Sequence, residues 1–94
     1  MARAHPVIRP GQDGSTQALD QAEQALVNGD FARCAALAGE VLGRDTLNVR
    51  AHLLRGAASN QLGHIERAVQ DLAFVLERRP GENIAHFHLG QALR

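Results

Sequence analysis

The chain has 94 residues, 10 basic and 10 acidic side chains for a net charge of zero, 45% hydrophobic residues and 3% aromatics. That length provides for one small domain, and the balanced charge excludes a phosphate-tracking basic face and so argues against nucleic acid as a partner. A single cysteine, Cys34, excludes an internal disulfide and a Cys/His zinc cluster, and no apolar run is long enough to span a membrane.

Residues 1–14 read as a flexible N-terminal tail, because Pro6, Pro10, Gly11 and Gly14 interrupt any helix. Pro6, Arg9 and Pro10 also break the apolar run that a signal peptide needs. Together with the lone cysteine this fits a cytoplasmic location.

From Ser15 onward the apolar residues follow helical spacing. Ser15 or Thr16 is the expected cap of a first helix over 15–28, carrying Ala18, Leu19, Ala22, Ala25 and Leu26. Asn28-Gly29-Asp30 then breaks the chain, with Gly29 suited to a left-handed cap and Asp30 to the start of the next helix. The second helix, 31–43, carries Phe31, Cys34, Ala38, Val41 and Leu42, and ends at Gly43-Arg44-Asp45. Asn48 is the expected cap of a third helix, 49–62, with His52, Leu53 and Gly56. A turn at Gly63 leads to a fourth, 65–79, whose Arg78 and Arg79 complement the helix dipole before Pro80-Gly81 stops it. Glu82 or Asn83 opens a fifth, 84–94.

The pattern has a period of 34 residues. It relates Gly29 to Gly63, Cys34 to Ala68, His52 to His86, Leu53 to Phe87, Gly56 to Gly90 and Ala58 to Ala92. Such a period belongs to helical hairpins that hide their apolar faces by stacking on one another. The composition agrees: a core of Ala, Leu and Val with few aromatics suits closely approaching helices. The fold class expected is all-α, with helices in the order A1-B1-A2-B2-A3 and repeats over 15–48, 49–82 and a partial 83–94. Small residues at Cys34, Gly56, Ala68 and Gly90 are expected where helix axes come close.

The residues resemble the tetratricopeptide repeat. The second repeat carries the likeness best, with His52 in the first aromatic slot, Arg55-Gly56 in the Leu-Gly slot, Gly63 as turn glycine, Ala68 as the small residue, Leu72 in a later aromatic slot and Pro80 closing. The third begins with His86, Leu89-Gly90 and Leu93. The first departs more, with Ala18, Gln21-Ala22, Cys34 and Thr46 in the key slots, although Gly29-Asp30-Phe31 keeps the turn. The resemblance covers residues 15–94 and implies a right-handed superhelix whose A helices line a concave face. It also implies a non-catalytic module that binds a protein or peptide partner.

On that resemblance the groove residues are Leu19, Glu23, Leu26 and Val27 from A1. A2 contributes Arg50, Leu53, Leu54, Ala57, Asn60 and Gln61, and A3 contributes Ile84, Phe87, His88, Gln91 and Arg94. Some members hold a chaperone's C-terminal carboxylate in a Lys/Asn/Arg clamp. The corresponding positions here are Leu19, Glu23, Leu54, Ile84 and His88, none of which matches. The expected ligand is instead a segment with aliphatic anchors on a strip of Leu19, Leu53, Leu54 and Phe87. The chain is expected to be the N-terminal part of a larger bacterial protein. The alternative is a self-associating scaffold, in which the apolar last helix forms a homodimer.

Chemistry is not expected. His86 and His88 are two apart and point to different sides of a helix, so they do not make a metal pair. Cys34 occupies a small-residue slot of the kind that packs in a core. Asp30, Glu40, Asp45, Glu66, Asp71 and Glu77 are expected at helix ends or on solvated faces. No metal or cofactor is implied.

Overall fold

The computed structural model describes residues 14–94, so all of the predicted tail except Gly14 lies outside the described residues. Five α-helices account for them, with no strand among the described residues: α1 (Ser15–Val27), α2 (Phe31–Arg44), α3 (Val49–Leu62), α4 (Ile65–Arg78) and α5 (Asn83–Ala92). Each boundary lies within two residues of the one read from the sequence.

The turns follow from local chemistry. Gly29 and Gly63, one period apart, both adopt positive φ (82° and 81°), a conformation in which any other L-residue is crowded by its own Cβ. Asp30 accepts from the Arg33 backbone N–H at 3.3 Å, and Asn48 from that of Ala51 at 2.9 Å, so α2 and α3 start on side-chain caps as expected. The first helix does not. Gly14 occupies the cap position with φ 92° and there is no side-chain cap, while Ser15 lies inside the helix and is buried. Nor does Glu82 cap α5 through its side chain. Gly43 lies inside α2, which runs on to Arg44.

Helix α3 is the hub. It packs on α1, α2, α4 and α5, and the run Gly56-Ala57-Ala58-Ser59 is buried on every side. Only small side chains leave room for neighbours all around a helix. The helices α1, α3 and α5 adjoin one after another. α2 bridges α1 and α3, α4 bridges α3 and α5, and α2 and α4 do not touch. The apolar interior follows the same division. One cluster, including Leu19, Ala22, Cys34, Ala38, Val41 and Leu54, joins α1, α2 and α3. The other, built on Ala68, Leu72, Val75, Ala85 and Ala92, joins α4 to α5, with Leu53 of α3 packed against it.

Two expectations are corrected at this level. A Cβ on Gly56 would lie 2.9 Å from Leu72 Cγ and Cδ2, whereas the space around Gly90 is open to 4 Å. Of the two glycines the close approach is therefore made at Gly56, where α4 lies against α3, while among the described residues nothing lies against the matching position on α5. Asp71, placed on a solvated face by its sequence context, is buried at 2% exposure. It sits where α4 meets α3 and faces two basic side chains.

Candidate binding groove

A cavity of about 540 Å³ opens between α1, α3 and the start of α5. Its apolar lining is Leu26 and Val27 from α1, Leu53, Leu54 and Ala57 from α3, and Ile84 from α5. Glu23, Arg50, Arg79 and Glu82 supply the charged groups. The floor is apolar because α1, α3 and α5 each turn the edge between two packed faces toward the same side. The charged groups come from the later part of α1 (Glu23), the start of α3 (Arg50) and the α4–α5 connection (Arg79 and Glu82).

Arg50 bridges two acidic side chains of α1, reaching Asp20 Oδ1 at 2.9 Å and Glu23 Oε1 at 3.1 Å. Desolvation works against its charge, but the hydrogen bonds and attraction from Asp20 and Glu23 outweigh it and hold its pKa above the usual value. The acids are well exposed, so the bridge orients Arg50 and contributes only about 0–1 kcal/mol to stability. Arg79 has no ion pair or hydrogen bond through its side chain among the described residues.

Of the groove residues read from the sequence, Glu23, Leu26, Arg50, Leu53 and Leu54 come together here, with Val27, Ala57 and Ile84. The others lie elsewhere. Leu19 is 3% exposed and belongs to the core between α1 and α2. Phe87 is 61% exposed and lies outside the cavity, its ring edge-on to His88 at 5.2 Å. The expected strip of Leu19, Leu53, Leu54 and Phe87 is therefore not continuous. Asn60, His88 and Gln91 are engaged with one another: Asn60 Nδ2 donates to His88 Nδ1 at 3.1 Å and to Gln91 Oε1 at 2.9 Å. Gln61 and Arg94 are exposed and outside the cavity. Arg79 and Glu82 line the cavity without any signal in the sequence. They follow the end of α4, and helical periodicity carries no information about where a connecting segment is directed.

The Asn60–His88 bond joins α3 to α5 and defines a tautomer, since Nδ1 accepts and the proton resides on Nε2. Burial lowers the His88 pKa below its ordinary 6.5. The unfolded chain therefore binds the proton more readily, and the neutral ring's contribution is complete above pH 6.5 and is lost as pH falls toward the folded value. Urea titrations across pH 7.5–4.5 are expected to show a loss of stability below about pH 6.5 that is smaller in His88→Gln. Parallel pH profiles for the two proteins would contradict this assignment.

A second polar cluster joins α3 to α4. Asp71 Oδ2 accepts from Arg55 Nε at 2.8 Å and Oδ1 from Arg55 Nη2 at 2.9 Å. His52 Nδ1 approaches Oδ1 at 3.0 Å while its Nε2 reaches the Thr46 carbonyl at 2.8 Å. Carboxylate and carbonyl are both acceptors, so whichever ring nitrogen carries the proton has an acceptor within 3.0 Å. His52 stacks on Phe74 with centroids 3.8 Å apart, and the Arg78 guanidinium covers the Phe74 ring at 3.5 Å. The Asp71 hydrogen bonds hold the Arg55 pKa above its usual value. Both oxygens of Asp71 are committed to packing, so the cluster acts as a clasp between helices.

Cys34 offers no reactive thiolate. Its side chain is fully buried, its Sγ donates to the Leu54 carbonyl at 3.5 Å, and burial pushes the thiol up to about 11. Among the described residues no three His, Cys, Asp or Glu side chains are grouped to hold a metal ion, and no helix is long and apolar enough to cross a membrane. No family model matches the chain, and neither the curated proteins nor the solved structures contain a match.

Proposed function

We propose that this chain is a non-catalytic, tetratricopeptide-like repeat module that binds an extended or helical protein segment through the α1–α3–α5 groove. The observation that carries this reading is the cavity itself. Six apolar side chains on three helices face one opening, and charged groups surround it. Supporting the repeat reading, α3 adjoins both α1 and α5 while α2 and α4 remain apart, as expected of hairpins stacked with their first helices on one side. A ligand with aliphatic anchors gains from burial at roughly 25 cal/mol per Å² of apolar surface, and Arg79 suits an acidic group near one end of it.

Leu54 is a poor position for a test because it is 5% exposed and belongs to the core. Val27 and Ile84 are better, at 75% and 51% exposed. Val27→Glu and Ile84→Glu are each expected to alter stability by no more than about 0.5 kcal/mol. Selection from a random-peptide library should give ligands with spaced aliphatic residues, and each substitution should weaken them about tenfold. Ligands without an aliphatic pattern, or bound equally well by both variants, would remove the groove reading.

The alternative reading, a self-associating scaffold, draws on Phe87 and Leu93, which are 61% and 67% exposed on and just after α5. Sedimentation across micromolar to millimolar concentrations separates it from peptide binding.

A further inference from the structure

The groove between α1, α3 and α5 carries an excess of acid. On the α1 side, Asp20 and Glu23 share the one guanidinium of Arg50, which leaves a negative charge over. On the α5 side, Glu82 is half-buried and has no ion pair among the described residues. Arg79 stands near it but is exposed. Between the two sides lie Leu26, Leu53 and Ile84.

The chain holds a complement to this arrangement in residues 5–9, His5-Pro6-Val7-Ile8-Arg9. Val7 and Ile8 are the two β-branched residues that precede Gly14, and Arg9 follows them directly. Residues 1–13 carry two arginines, Arg3 and Arg9, against one acid, Asp13, so their balance is opposite to that of the groove. Pro6 and Pro10 bracket the aliphatic pair. A residue before proline favours extended backbone, which lowers the conformational freedom lost when such a segment enters a groove.

The reach is sufficient. From Ser15 to Glu23 the α1 axis advances about 12 Å, and to Leu26 about 17 Å. The neighbouring α3 lies about 8–10 Å to the side. Extended chain from Arg9 to Ser15 spans up to about 20 Å, and from Ile8 up to about 23 Å. Arg9 can therefore stand at Glu23 with Ile8 one step further along, beside Leu26 and Leu53. Gly14, at φ 92°, provides a bend at the start of α1 that is open chiefly to glycine.

We propose that residues 5–9 occupy the α1–α3–α5 groove as an intramolecular ligand that a partner must displace. Val7 and Ile8 cover the surface of Leu26, Leu53 and Ile84, and Arg9 pairs with Asp20 and Glu23. This rests on the groove being the binding site and makes binding there a competition. The tether gives the segment an effective concentration on the order of millimolar, so a weak intrinsic affinity is enough to fill the groove.

The test compares the parent chain with the full-length double variant Val7→Ser, Ile8→Ser. Both positions precede α1, so helicity should be equal. In amide spectra the two proteins should differ at Leu26, Val27, Leu53 and Ile84. A nitroxide attached through Ala4→Cys should broaden those amides in the parent background and not in the double variant, since the buried Cys34 thiol does not compete for the label. A synthetic peptide of residues 3–11 should bind the double variant saturably and the parent about tenfold more weakly, as for a groove free a tenth of the time. Identical groove amides in the two proteins, or equal affinity of both for the peptide, would overturn the proposal. Broadening that grows with protein concentration would overturn it in favour of the same segment from a second copy. Library-selected ligands that Val27→Glu and Ile84→Glu weaken, but that bind parent and double variant equally, would overturn the intramolecular ligand and leave the groove as a binding site. Ligands indifferent to Val27→Glu and Ile84→Glu would overturn both.

Discussion

Asp71→Ala is expected to lower the free energy of unfolding by about 3 kcal/mol, the lower end of the cost of breaking a buried ion pair. The cost arises from what remains. Arg55, 22% exposed, loses the acceptors of both Nε and Nη2, and His52, 12% exposed, loses the acceptor of Nδ1. These donors stay partly shielded from water and unmatched, which is more costly than never having formed the pair. A domain of this size holds on the order of 5 kcal/mol in total, so the variant should unfold roughly 2 M earlier in urea by circular dichroism. Asp71→Leu combined with Arg55→Met should recover much of the loss, since it removes both charges and keeps the volume apolar. A loss below about 1 kcal/mol for Asp71→Ala would mean that water replaces the carboxylate and that the clasp is not a major tie between α3 and α4.

The second large effect is expected at Gly56, and its repeat counterpart supplies the control. An alanine in mid-helix is favoured over glycine by about 1 kcal/mol, so in open space Gly→Ala stabilises. That is the expectation for Gly90→Ala, at about 0.5–1 kcal/mol, because nothing lies within 4 Å of the new methyl group. At Gly56 the same methyl would stand 2.9 Å from the branch of Leu72 and 3.1 Å from Asp71 Cβ. Leu72 is fully buried and Asp71 is held by three hydrogen bonds, so neither yields freely. The expected outcome for Gly56→Ala is a net loss of about 1–2 kcal/mol, and for Gly56→Val about 3 kcal/mol. Thermal or urea unfolding of the three variants beside the parent protein checks both signs. Equal responses at Gly56 and Gly90 would contradict the packing difference between the two ends of the stack.

Much of the helical architecture is legible in the sequence alone. Gly29 and Gly63 marked the turns because left-handed backbone favours glycine strongly, and Asp30 and Asn48 marked helix starts because few side chains satisfy an orphan N–H. Both are local signals, carried by residues close in the chain. On the tetratricopeptide resemblance the expected groove included Glu23, Leu26, Arg50, Leu53 and Leu54, and the structure brings these five to one cavity. Leu19 and Phe87, expected on the same strip, lie outside that cavity, because a 34-residue correspondence equates positions whose neighbours differ. Leu19 has α2 and α3 around it, while on α5 Phe87 is 61% exposed among the described residues.

The sequence by itself determined the helix count, the helix boundaries to within two residues and the 34-residue pairing of positions. These rest on intrinsic backbone preference and on the spacing of apolar side chains, both readable along one chain segment at a time. Only the tertiary structure decided which members of each pair are enclosed. Gly56 is packed and Gly90 open, His52 is clasped by Asp71 and His86 is not, and Asp71 itself is buried although its flanking sequence reads as a helix surface. Burial and charge pairing depend on what another segment brings within about 4 Å, and two residues alike in sequence position part company when only one of them has a helix against it.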